Sequence, residues 1–124
     1  MRQEPETTLA RGKLAEDLAF DYLLELGLKP LARNYRCLCG EIDIIMQHDE
    51  IVVYIEVRYR KNKHYIDPVE TIDVGKRNRI IKTSLHFMQS NRSAAKSPCR
   101  FDVITVSENL TIPEIKWIKN AFQA

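Results

Sequence analysis

Asp43 and Glu56 each interrupt an apolar run that would otherwise read as plain β-strand. The first run is Gly40-Glu41-Ile42-Asp43-Ile44-Ile45-Met46, and the second is Ile51-Val52-Val53-Tyr54-Ile55-Glu56-Val57-Arg58-Tyr59-Arg60. Carboxylates are rarely buried unless they are paired or hold a metal. Gln47-His48-Asp49-Glu50 lies between the runs and is short and polar enough for a hairpin turn. Strand alternation then sets Glu41, Asp43 and Ile45 on one face with Val52, Tyr54, Glu56, Arg58 and Arg60. The other face carries only Ile42, Ile44, Met46, Ile51, Val53, Ile55, Val57 and Tyr59. One face is core, and the other gathers three carboxylates beside two guanidinium groups.

A turn centred on His48 and Asp49 pairs Glu41 with Glu56 and leaves Asp43 diagonal to it. Moving the turn by one residue pairs Asp43 with Glu56 directly. Opposed residues of an antiparallel pair lie about 4.5–5.5 Å apart at Cβ, so two carboxylates can reach one cation in either register. Mg²⁺ or Mn²⁺ suits such a place: Mg²⁺ takes one or two protein carboxylates and fills its shell with water and substrate phosphate. The expected ligands are Asp43, Glu56 and Glu41. Arg58 follows Glu56 by two residues on the same face, where a guanidinium can hold a phosphate but cannot act as a base.

The elements that position these residues follow from the rest of the chain. With 124 residues and 44% hydrophobic content, it supports one domain with a real core. A formal net charge of +2 does not by itself announce nucleic-acid binding. No apolar stretch approaches the roughly 20 residues of a membrane span, and Met1 to Pro5 lacks the apolar core of a secretory signal. Three cysteines without an export signal suggest reduced thiols and a cytoplasmic location.

After a polar lead-in over Met1 to Thr7, the spacing predicts a helix from about Thr8 to Leu26, with Ala15, Leu18, Ala19, Tyr22 and Leu26 on its apolar stripe and Gly27 as its stop. Pro30 to Arg36 is expected as an edge strand. The hairpin over 40–60 follows, then a charged loop from Lys61 to Thr71. Asp73 can cap a second helix over about Val74 to Gln89, with Val74, Ile81, Leu85 and Met88 on its apolar face. Ser90 to Pro98 reads as a linker or loop, Arg100 to Val106 as a strand, and Glu114 to Ile118 as the last strand. This order predicts an α/β domain with a mixed central sheet and helices on both faces, the acidic end lying in a cleft.

Gly40-Glu41-Ile42-Asp43, Glu56-Val57-Arg58, a basic helix, and Arg100-Phe101-Asp102-Val103 together resemble the small bacterial YraN family. The matching pieces run from Gly12 to Phe122. The resemblance implies a restriction-endonuclease-like fold, as in PD-(D/E)XK nucleases and Holliday-junction resolvases. By resemblance, Asp43 and Glu56 are the metal-binding acids, Glu16 is the acid of the first helix, and Arg58 stands where a catalytic lysine is expected. The implied activity is metal-dependent phosphodiester hydrolysis. The implied partner is DNA, branched forms included, with RNA and a homodimer left open.

Other readings compete at each position. Asp43 and Glu56 also suit an ion-pair network with Arg58 and Arg60, which would make the chain an inactive binding or assembly module with Arg58 neutralising the site. Glu41 can simply end its strand at solvent, and Glu16 lies at the border of its helix's apolar stripe, where a surface glutamate is common. Lys76, Arg77, Arg79 and Lys82 make the second helix basic, which suits either a solvated face or phosphate contact. Lys76, Arg79, Arg60 and Arg36 are the expected nucleic-acid contacts, with Arg33, Lys61 and Lys63 on the same rim. Cys37, Cys39 and Cys99 do not form a four-ligand zinc set. The three histidines lack a coherent spacing. Trp117 and Phe101 suit the core better than a base-stacking platform.

Overall fold

The computed structural model describes residues 7–60, 72–107, 109 and 111–124. Helix α1 spans Thr8–Glu25, strand β1 Lys29–Cys37, β2 Gly40–His48 and β3 Ile51–Arg60. Helix α2 then covers Val74–Ser90, the short α3 Arg92–Lys96, and strands β4 and β5 run over Cys99–Ser107 and Ile115–Phe122. The five strands form one sheet in the order β1-β2-β3-β4-β5. Every neighbouring pair is antiparallel except β3 and β4, which are parallel. A parallel pair needs a crossover, and α2 and α3 lie on that connection. This is the expected α/β architecture with a mixed sheet. No helix among the described residues is long and apolar enough to cross a membrane. The expected loop from Lys61 to Thr71 lies outside the described residues.

Helix α1 starts where the Thr7 hydroxyl accepts the Ala10 N–H at 3.0 Å and ends before Gly27, whose φ of 93° few other residues tolerate. Ala15, Ala19 and Leu23 are fully buried on one stripe against Ile44, Met46, Val53, Ile55 and Ile104. The stripe therefore closes on Leu23, and Leu26, expected to be part of it, is 51% exposed. Helix α2 covers the other face, where Ile80 and Phe87 pack with Ile45, Val52, Tyr54 and Phe101. Its Asp73 cap forms as expected, with Oδ1 accepting the Lys76 N–H at 2.7 Å.

The buried face of α2 differs from expectation. Val74 and Leu85 are exposed, Ile81 and Met88 only half-buried, and the buried residues are Ile80, Thr83, Ser84 and Phe87. Thr83 and Ser84 can be buried because their hydroxyls donate back to the carbonyls of Arg79 and Ile81, at 2.7 and 2.6 Å. The expected linker over Ser90 to Pro98 contains α3, which buries Ala94.

The β2–β3 turn is set by Asp49 and Glu50, with His48 paired to Ile51 and Asp49 at φ 55°. It lies one residue later than His48–Asp49, so the Glu41–Glu56 register is excluded. Pairing runs from His48↔Ile51 to Ile44↔Ile55, and its next step sets Asp43 opposite Glu56. Ile42 departs from the strict alternation. Asn34, at φ 51°, lies between Arg33, paired with Ile44, and Tyr35, paired with Ile42. Arg33 and Asn34 both turn to α1, Tyr35 turns to α2, and Ile42 follows Tyr35 into the core under α2.

Candidate functional site

At the end of the β2–β3 hairpin away from its turn, a cavity of about 250 Å³ is lined by Gly40, Glu41, Asp43, Glu56, Lys76, Arg79 and Ile80. Strands β2 and β3 supply the three acids, and the first two turns of α2 supply the two cations. Gly40 permits the close approach between them. At its φ of 150° a side chain is strained, and a Cβ there would meet Thr83 Oγ1 at 3.3 Å and Arg79 Cβ at 3.4 Å.

The Asp43 carboxylate is half-buried, and its Oδ2 accepts the Val57 N–H at 2.8 Å. Burial, then the charge of Glu56, push its pKa from 3.8 up to about 7, against the pull of the Val57 hydrogen bond, with smaller upward pushes from Glu16 and Glu41. Glu56 is 8% exposed, and Lys76 Nζ lies 2.8 Å from its Oε1. Its ion pair among the described residues is thus with Lys76, across from α2, rather than within the arginine network of its own strand. Lys76 itself is 34% exposed at the side chain.

The remaining expected residues divide into two groups. Glu41 lines the cavity, and Arg36, its cross-strand partner, places Nε 3.5 Å from Glu41 Oε1 at the exposed rim. Glu16 does not line the cavity. It lies on the α1 face, held by Arg33 and by Asn34 Nδ2, both at 2.9 Å, and its charge still reaches Asp43. Arg33 also binds Asp17 at 2.7 Å and covers the Phe20 ring, so it belongs to α1 rather than to the cationic rim. Arg58 and Arg60 are half-buried on β3, opposite Thr105 and Ser107 of β4, and line no part of the cavity. Burial, with the charge of Arg58, holds the Arg60 guanidinium below its ordinary pKa. Arg77, though in the basic run of α2, donates to the Ile72 carbonyl at 2.9 Å and lies over Phe122. Lys61, Lys63 and His64 lie outside the described residues.

Carboxylate oxygens are the donors that a hard divalent cation takes. Asp43 and Glu56 present carboxylate oxygens at neighbouring positions, and their mutual repulsion would be relieved by a cation between them. Among the described residues no three His, Cys, Asp or Glu side chains converge as a ready-made ligand cluster. Water and phosphate would therefore have to complete the shell, as Mg²⁺ commonly requires. The cysteines are free thiols.

One buried acid was not singled out by sequence reasoning. Asp102, fully buried on β4, accepts Arg100 Nε at 3.0 Å, Trp117 Nε1 at 2.8 Å and the Asn120 N–H at 2.8 Å. Its signal was the same as that of Asp43, an acid inside an apolar run. Its donors satisfy it, so it braces β4 against β5.

A family model described as uncharacterised protein family UPF0102 matches residues 15–106. A UPF0102 protein of Nitrosococcus oceani is 39% identical over 97% of each chain. Those of Saccharophagus degradans and Legionella pneumophila are 42% and 43% identical, covering 90% and 94% of this chain and 91% and 98% of their own.

Proposed function

The chain belongs to the UPF0102 family, and from the acids and cations gathered in its cavity we propose that it binds nucleic acid and hydrolyses phosphodiester bonds with a divalent metal ion at Asp43 and Glu56. The observation that carries this reading is the meeting of Glu41, Asp43 and Glu56 with Lys76 and Arg79 around one open cavity. Carboxylates alone would repel a nucleic acid, and cations alone would only bind it. Side by side, they suit a site that takes a phosphate and a metal together. The resemblance of the motif order to PD-(D/E)XK nucleases supports the same reading.

When bound, Mg²⁺ or Mn²⁺ would orient a water and stabilise the charge developing on the phosphate. Asp43 and Glu56 would hold it, with Glu41 at the outer rim. Asp43 is aimed by its bond to the Val57 N–H, so the strand pairing itself fixes one ligand. Arg79, lining the cavity from α2, would meet a bound phosphate, and Arg36 beside Glu41 extends the cationic rim along β1. Glu16 acts from the far side of the sheet, where its charge adds to the field that draws a cation toward Asp43.

Incubation of the protein with single-stranded, duplex and junction DNA, and with RNA, in Mn²⁺ tests the proposal. Cleavage of at least one form by the wild type, lost in Asp43→Ala, is the expected result. Binding without cleavage of any form would make the chain a recognition module instead.

A further inference from the structure

The ion pair between α2 and β3 sets a lysine ammonium on one of the carboxylates of the cavity. We propose that Lys76, rather than Arg58, is the cation that shares Glu56 with the metal: its ammonium neutralises Glu56 in the metal-free protein, is displaced when a divalent ion enters, and then turns to the phosphate of the bound strand. The inference rests on the metal-site reading above and deepens it.

The geometry supports each part. Lys76 Nζ lies 2.8 Å from Glu56 Oε1, where it occupies an oxygen that a metal bridging Glu56 and Asp43 would compete for. Glu56 is enclosed, with 9% of its side chain exposed, whereas Lys76 keeps 34%. Of the two partners, the lysine is the one that can leave without opening the core. An ammonium is a compact point charge on a flexible four-carbon stem, so it can exchange one anionic partner for another by rotamer changes alone. Its backbone does not need to move, since the Lys76 N–H is held by the Asp73 cap at 2.7 Å. Arg79 lies three residues further on the same helix and lines the same cavity, so the released ammonium would stand beside a second phosphate donor. Arg58 and Arg60 line no part of the cavity.

Two affinities moving in opposite directions would identify this exchange. Calorimetric titration with Mn²⁺ at neutral pH and low salt is compared for wild type, Lys76→Gln, Lys76→Arg and Lys82→Gln. Lys76→Gln is expected to bind Mn²⁺ roughly fivefold more tightly, the size of one partly exposed ion pair. Lys76→Arg, which keeps the charge, and Lys82→Gln, on an exposed position outside the cavity, are expected to match wild type. The Mn²⁺-loaded Lys76→Gln protein should bind a short DNA duplex more weakly than loaded wild type. A merely structural lysine would lower both affinities, and a simple phosphate contact would lower only the second, so either pattern overturns the proposal. If wild type binds Mn²⁺, Asp43→Ala does not, and Lys76→Gln is unchanged, the metal site stands and the exchange is wrong. Absence of Mn²⁺ binding in both wild type and Lys76→Gln overturns the metal-site reading and this inference together.

Discussion

The Asp43 carboxylate closes the β2–β3 pair at the level of Val57, accepting its backbone N–H at 2.8 Å where the regular ladder stops at Ile44↔Ile55. A side chain that would serve as a metal ligand is therefore also part of the sheet. This double duty makes the charge on Asp43 a determinant of stability.

The pH dependence follows from that charge. The pKa of Asp43 is raised from 3.8 to about 7, so between these values the native state holds a proton that the unfolded chain has released. Stability from this group is full below pH 4 and is lost as pH rises toward 7, by on the order of 3 kcal/mol. Asp43→Asn keeps an oxygen for the Val57 N–H and removes the charge. It is expected to be more stable than wild type at pH 8 by about 1–3 kcal/mol in metal-free buffer, and little different at pH 4. Urea unfolding at the two pH values checks both, and Asp43→Ala, which also loses the hydrogen bond, should fall below Asp43→Asn by ~1 kcal/mol.

Asp102 provides the contrasting acid. Three donors on β4 and β5 surround it away from the cavity, and Asp102→Ala leaves Arg100 and Trp117 without that partner. The expected loss is about 3–5 kcal/mol of stability. Where the variant still folds at low temperature, its Mn²⁺ affinity should equal that of wild type, as measured by calorimetry.

Gly40→Ala tests the approach of the β1–β2 turn to α2. The φ of 150° and the contacts at 3.3 and 3.4 Å predict a loss of roughly 1–3 kcal/mol, visible as a lower Tm. An unchanged Tm would mean that the turn and the helix are not held this close.

Nucleic-acid affinity should fall steeply with salt, and Arg79→Ala should reduce the slope of log affinity against log salt by about one. Lys116→Ala, exposed on β5 away from the cavity, should leave the slope unchanged. Equal loss across sequences is expected, because phosphate contacts carry no base information. Binding that does not respond to salt would contradict the phosphate interface.

Much of the sheet and the acids at its centre could be read from residue types, because an ionisable group inside an apolar run is expensive unless something nearby holds it. That rule found Asp43 and Glu56, and applied evenly it would also have found Asp102, two of whose donors lie on a strand 15 to 18 residues away. The buried face of α2 was misread because hydropathy ranks Thr83 and Ser84 as polar, although each satisfies its hydroxyl within its own helix. Ile42 was misplaced because the left-handed turn of the chain at Asn34 breaks alternation without any change in hydrophobic pattern. Lys76 looked like one member of a basic face. Its contact with Glu56 depends on how the crossover sets α2 over β3, which no local spacing encodes.

Calorimetric titration of Mn²⁺ into wild type, Asp43→Ala and Glu56→Ala at neutral pH decides whether the two acids hold a metal ion. The expected result is one saturable site in the wild type, abolished by either substitution, with protons released on binding as Asp43 gives up the proton it holds near pH 7. Saturable binding that survives both substitutions, or no binding by the wild type, would contradict it.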